Sequence, residues 1–348
     1  MKSKKCLVEL QGYLKEKNLG GCIIEDPIDL FYLTGLQLSA GTLIVLPKSW
    51  QLLVDGRYLE VAKPLGAILS SDEAKKKCLP KNSTILIDST RSSYDQIARW
   101  QALVRGICTL QPTPRILKEL RAIKDSKEIA LMKKSALLGF AGFRHICTLL
   151  KSGVTERELA LAFTLYALKH GADGASFEPI IAFGKNSALP HHHSGKTKLK
   201  KGDLVLMDLG VMLNGYASDM TRVVFYGKGN PQLLALHETV KAAQKAALAL
   251  CKPGAKLKDL DLGAREVMAQ EGLESYFVHS LGHGLGLEVH EYPIIRKTGS
   301  EKDVVLREGM VITIEPGLYL PGKGGSRYED TILITKKGYQ NFYPEDSK

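Results

Sequence analysis

Four carboxylates stand in apolar stretches where a strand would normally carry none. In LVLMDLGVMLNGYASDMTR, residues 204–222, Asp208 interrupts a hydrophobic run, and Asp219 follows a turn signal at Asn214-Gly215. In EGMVITIEPG, residues 308–317, Glu315 takes the corresponding place, and Glu329 follows in SRYEDTILI. A buried charge is expensive unless it is paired or bound to metal. Four acids converging from two hairpins would repel one another unless positive charge lay between them. Two divalent ions meet that need. Oxygen ligands favour an Mn²⁺-like ion, and one imidazole widens the choice to Co²⁺ or Zn²⁺. A surface salt bridge explains any one of these acids, but it does not explain four at matched positions.

Histidines supply the second kind of chemistry. VHSLGHGLGLEVHEYP, residues 278–293, holds His279, His283 and His290 among glycines, as expected where backbone approaches a ligand closely. SALPHHHSG, residues 187–195, holds His191, His192 and His193, of which one is expected to function. The glycines of GHGLGL and GKGGS lack the strand, G-x-G-x-x-G and helix setting of a dinucleotide loop. No G-x-S-x-G elbow supports a serine hydrolase.

Two hairpins must position these groups. A two-residue turn at Asn214-Gly215 pairs Leu213 with Tyr216 and, counting back, Gly210 with Asp219. Side chains alternate with period two, so Asp208 and Asp219 share a face. Glu315 and Gly317 share a face in the second hairpin, with Glu329 able to sit opposite. The sequence also echoes itself. KSGVTERELA at 151–160 matches KPGAKLKDLD at 252–261, an offset of 101, and each begins a segment that ends at a glycine. KGDLVLMDLG at 201–210 matches EGMVITIEPG at 308–317, an offset of 107. The second half therefore reads as a duplicated helix-plus-hairpin unit with pseudo-two-fold symmetry.

The first ~115 residues alternate strand and helix signals. GGCIIE, the pair within GTLIVLPKSWQLLVDGRY, and STILIDST read as strands, with helices near 4–18, 56–63 and 93–105. Pro112 and Pro114 are expected to end this unit, which gives domains of 1–118 and 119–348, the second opening with a helix from Ser126 to about Leu150. The length of 348 residues suits two domains. No run approaches a membrane span, and the N-terminus reads as an amphipathic helix, so a cytoplasmic protein is expected. Six scattered cysteines read as reduced packing residues. The net charge of +11 comes from dispersed lysines without interleaved aromatics, which argues for a solvated surface over a nucleic-acid partner.

The motifs MDLG…SDMTR, HSLGHGLGLEVHE, TIEPG and RYEDT, in this order, resemble those of the pita-bread metallopeptidases, in the proline-specific branch of aminopeptidase P and prolidase. DPIDLFYLTGL and LLVDGRYLEVA resemble that family's N-terminal, creatinase-like domain, and LRAIKDSKEIALMKKSA onward resembles its catalytic domain. The resemblance implies an α/β protein (α+β) whose creatinase-like domain precedes a pita-bread domain. It implies Asp208 on one ion, His283 and Glu315 on the other, and Asp219 and Glu329 bridging both. It places His191, His279, His290 and Arg327 at outer positions of the active site, with His192 as a rival to His191. It implies a homodimer acting on small peptides with proline second. Glu315 would carry the proton, His191 and His290 would bind the developing oxyanion, and Arg327 would orient Glu329 or meet a substrate carboxylate. Phe177, Phe183 or Tyr292 would wall the proline ring. Aminopeptidase P is the expected activity, with prolidase the alternative and methionine aminopeptidase or a non-catalytic peptide-binding module behind it.

Overall fold

The computed structural model describes residues 2–344. The chain divides into two compact units, Met1–Leu120 and Arg121–Lys348. In the first, a six-stranded mixed sheet runs in the order Ile68–Leu69, Trp50–Val54, Thr42–Val45, Gly21–Ile24, Thr84–Asp88, Thr109–Thr113. Helices form where local signals ask for them. Asp26 accepts from the amides of Ile28 and Asp29, Pro27 opens the helix Pro27–Thr34, and Gly35 closes it in a left-handed conformation. Ser93 and Gln96 form a capping box on Tyr94–Val104. The helix expected over 56–63 shrinks to Leu59–Ala62, which continues as a 3₁₀ turn over Lys63–Leu65. Pro112 does not end the unit as expected. It lies in the edge strand Thr109–Thr113, parallel to Thr84–Asp88, where a residue without an amide proton is tolerated.

The second unit opens with the helix Ser126–Cys147, capped by Asp125 and Glu128. It packs on the helix Glu156–Lys169. The pair recurs as Pro231–Ala249 packed on Leu257–Gln270. The second members of the two pairs start and end at the same offset of 101 found in the sequence. The helix Pro231–Ala249 went unread in the sequence, although Asn230 as cap and Pro231 at the first position announce it.

Behind each helix pair lies antiparallel sheet. Met220–Phe225 and Ile180–Phe183 flank Leu204–Leu209. Val311–Ile314 lies between Gly282–Gly284 and Asp330–Ile334. One apolar cluster, including Leu206, Val240, Leu260, Ile312 and Ile332, joins both sheets to the second helix pair. Among the described residues no helix is long and apolar enough to cross a membrane.

Candidate metal centre

The first hairpin turns at Asn214 (φ 51°) and Gly215 (φ 78°), the two positive φ values that a type I′ turn requires. Leu213 faces Tyr216, and the same register continues to Leu209 facing Met220 and Asp208 facing Thr221. Gly210 and Asp219 fall opposite each other at the break between these ladders. Gly210 is there because the space a Cβ would need is held by Ser176, the Ser218 carbonyl and the ring of Phe177. In the second hairpin Ile314 faces Asp330 and Gly317 faces Arg327, so Glu315 and Glu329 meet at the corresponding break. Asp219, Glu315 and Glu329 thus stand at the breaks, between the paired stretches of each hairpin.

The hairpins are stitched together through these acids. Thr221 Oγ1 donates to Glu329 Oε2 at 2.7 Å, and the Glu329 amide donates to the Thr221 carbonyl at 3.2 Å. Thr331 Oγ1 and the Tyr343 hydroxyl both donate to the Asp219 carbonyl, at 2.9 and 2.6 Å. His283 comes from the strand Gly282–Gly284. Its Nδ1 donates to the Gly284 carbonyl at 3.0 Å, which leaves Nε2 directed at Glu315 Oε1 (3.2 Å) and Asp219 Oδ2 (3.6 Å). The glycines flanking His283 serve neighbouring strands rather than a ligand. A Cβ on Gly282 would strike the Thr313 carbonyl, and one on Gly284 the Tyr292 carbonyl.

These side chains fit a bound cation on three counts. Donor atoms of Asp219, His283 and Glu329 lie within 4.8 Å of one another. Asp208 Oδ1 and Glu329 Oε1 are buried with no hydrogen-bond partner among the described residues. The carboxyls of Asp219 and Glu329 are pushed well above their usual range, by burial first and then by neighbouring carboxylates. Burial also raises Asp208, against the pull of Arg327. Glu315 is lowered, because His283 outweighs the effect of burial. Burial alone would lower His283, yet Glu315 and Asp219 hold it up at about 9. The centre therefore crowds acid groups whose ionised forms need added positive charge, and carboxylate oxygens with one imidazole suit a divalent ion.

Arg327 does not orient Glu329 directly. Its Nη2 donates to Asp208 Oδ2, its Nε to Thr221 Oγ1 at 2.9 Å, and its Nη1 to the Tyr319 hydroxyl at 2.6 Å. It reaches Glu329 only through Thr221. His279 ends the chain. Its Nδ1 donates to the Ser280 carbonyl at 2.8 Å, and Nε2 accepts from Tyr319 at 2.9 Å. Both ring nitrogens are engaged, and burial lowers the ring's pKa, so the neutral form that this chain requires is favoured. Thr221 and Tyr319 had no place in the sequence reading. The register gave a signal for Thr221, since it stands directly across from Asp208.

A cavity of about 570 Å³ opens on the centre, lined by all four acids and Arg327, by His279 and His290, and by His191, His192 and His193. Phe177 lines it too, beside Ile180, Val289 and Ile294. Phe183 and Tyr292 do not; both are buried in the core. The neighbouring histidines His191 and His192 differ in their partners. His192 Nε2 lies 2.9 Å from Glu156 Oε2, and that carboxylate also accepts from the amides of Phe183 and Gly195 and from Asn186. His191 is exposed at the cavity and its ring has no partner among the described residues.

Comparison with known proteins covers nearly the whole chain. Residues 130–336 match the metallopeptidase family M24, and residues 7–123 match the creatinase/prolidase N-terminal domain. An Xaa-Pro dipeptidase of Pyrococcus furiosus is 36% identical over 341 residues, 96% of each chain. The crystal structure of a prolidase from Pyrococcus horikoshii superposes with a TM-score of 0.91 at 33% identity, covering 99% of both chains. An X-Pro aminopeptidase from Thermotoga maritima superposes with a TM-score of 0.84 at 29% identity, covering 94% of this chain and 97% of that one.

Proposed function

The chain belongs to metallopeptidase family M24, in its proline-specific pita-bread branch, and on that premise we propose that it is an Xaa-Pro dipeptidase, a prolidase that uses two divalent ions, Mn²⁺ foremost, to split dipeptides ending in proline. The observation that carries the reading is the convergence of Asp208, Asp219, Glu315, Glu329 and His283 on one cavity, with two carboxylate oxygens left without partners. The aminopeptidase preference expected from the sequence gives way here. An Xaa-Pro dipeptidase aligns along essentially the full length of both chains, and it does so at higher identity than the aminopeptidase structure.

The five side chains named would hold the ions. What the ions supply when bound is a nucleophile at neutral pH and polarisation of the scissile carbonyl. The chain's own residues supply the rest. Arg327 fixes one oxygen of Asp208 and leaves the other free to face the centre. Thr221 does the same for Glu329, holding Oε2 and leaving Oε1. Glu315, its pKa lowered, is favoured as the carboxylate, the form that can accept a proton and pass it to the leaving proline nitrogen. His191 and His290, whose rings line the cavity with no hydrogen-bond partner among the described residues, donate to the oxygen as negative charge builds on it. His279 acts through Tyr319, holding the hydroxyl that holds Arg327. Phe177 offers the proline ring an apolar wall.

The test is hydrolysis of Xaa-Pro dipeptides and Xaa-Pro-Yaa tripeptides by chelated protein, before and after Mn²⁺. Dipeptide cleavage restored by Mn²⁺, absent in Asp219→Ala, and at least tenfold above tripeptide cleavage in kcat/KM, is expected. Tripeptides cleaved as fast as dipeptides would return the protein to aminopeptidase P. Bound Mn²⁺ with no cleavage of either would end the peptidase reading.

A further inference from the structure

The His290 ring lies 4.3 Å from that of His283, yet among the described residues no hydrogen bond holds it. Its direction must come from its backbone. That backbone belongs to a tight loop in which the Gly286 amide donates to the Glu288 carbonyl and the Glu288 amide donates to Glu291 Oε1 at 3.1 Å. The Glu291 side chain folds back beneath the loop, filling the space a Cβ on Gly286 would need.

Two cations grip this carboxylate from below. Arg121 Nη2 donates to Glu291 Oε1 and, at 2.7 Å, to Glu288 Oε2, so one guanidinium spans both ends of the loop. Lys124 Nζ donates to Glu291 Oε2 at 3.4 Å. Arg121, Lys124 and Glu291 are all buried. Their backbone is in turn fixed to the strand that leads to Glu315. The Lys124 amide donates to the Gly309 carbonyl at 2.8 Å, and Ile123 pairs with Met310, immediately before the strand Val311–Ile314.

We infer that Arg121 and Lys124, acting through Glu291, are positioning residues that hold His290 at a fixed place relative to Glu315. The inference rests on the peptidase reading above for the role of His290, but the clamp itself does not. A purely stabilising role is the weaker account. Well-packed apolar residues stabilise such a site as well as or better than buried ion pairs do, so a buried ion cluster is better explained by the geometry it enforces. Both contacts leave from Nη2, which stands one bond further from Cα than a lysine ammonium, so lysine at position 121 keeps the charge and falls short of spanning Glu288 and Glu291.

The test uses Arg121→Lys and, in case that variant does not fold, Glu288→Gln, which cuts the same link at a partly exposed carboxylate. In the metal-free protein the Cε1–H resonance of His290, assigned by its loss in His290→Ala, is expected to move toward the position of an unconstrained histidine in either variant, while that of His279 stays. In the Mn²⁺-loaded enzyme, Arg121→Lys is expected to lower kcat by about tenfold or more with KM within about twofold, and to cost nothing further when His290 is already alanine. An unmoved His290 resonance, or an equal loss of kcat in both backgrounds, would overturn the clamp. A His290→Ala enzyme with full kcat, alongside a shifted His290 resonance in the clamp variants, would remove His290 from the reaction and leave the clamp standing.

Discussion

Asp208 and Thr221 face each other across the first hairpin, and Arg327, reaching over from the second hairpin, binds both, Asp208 through Nη2 and Thr221 through Nε. Thr221 then passes the constraint to Glu329. One guanidinium therefore fixes an acid from each hairpin, and in each case leaves the other oxygen unpartnered.

Arg327→Met tests this arrangement. Removing one partner of a buried ion pair costs about 3–5 kcal/mol. The metal-free variant is expected to lose stability on that scale in denaturant titration, and Mn²⁺ is expected to restore part of it by supplying the missing positive charge. A variant as stable as the parent without metal would mean that Asp208 gains nothing from Arg327.

His191 and His192 are expected to separate activity from stability. His191→Ala removes no side-chain hydrogen bond among the described residues, so its melting temperature should match the parent, while kcat falls about 10²-fold through loss of an oxyanion donor. His192→Ala leaves the buried Glu156 short of a partner, at a cost of about 1–3 kcal/mol, and should shift the melting curve instead. Calorimetry beside steady-state kinetics on an Xaa-Pro dipeptide distinguishes the two, and the reverse pattern would exchange their roles.

Phe177 packs against Gly210 and faces the cavity. Phe177→Ala removes most of the wall proposed for the proline ring. A drop in kcat/KM of about 10–100-fold is expected, worth about 1–3 kcal/mol of apolar contact. Phe183→Ala and Tyr292→Ala lie in the core and should act on stability, with kcat/KM of the folded fraction preserved.

Acid should loosen the clamp beneath His290. Burial acts to raise the Glu291 pKa, but Lys124 and Arg121 outweigh it and hold the group below its usual 4.5. A depressed folded pKa contributes stability that is complete above about 4.5 and is lost as pH falls through the lower folded value. Stability measured by denaturant midpoint from pH 6 downward is expected to fall below about pH 4.5, and to fall less steeply there in Glu291→Gln. Identical slopes in both proteins would show that Glu291 does not contribute to the acid limb.

Much of the centre was legible in the sequence because the information that sets it is local. Asn214-Gly215 fixed a turn, the turn fixed the register, and the period of two put Asp208 and Asp219 on one face. The echo at an offset of 101 foretold the matching helices Glu156–Lys169 and Leu257–Gln270. The edge strand Thr109–Thr113 was missed because Pro112 looks like a breaker until its place at the sheet edge shows that no amide proton is needed there.

What the tertiary structure alone decided are contacts between residues far apart in the chain. Arg327 meets Asp208 across 119 positions, and Glu156 holds the His192 ring across 36. Arg121 closes under the loop of His290 across 170 positions. Phe177 reached the cavity while Phe183 and Tyr292 went to the core. Periodicity and turn chemistry state which way a side chain points from its own strand. They carry no record of which distant group will arrive there, and that is set only when the two hairpins and their helices pack around a common core.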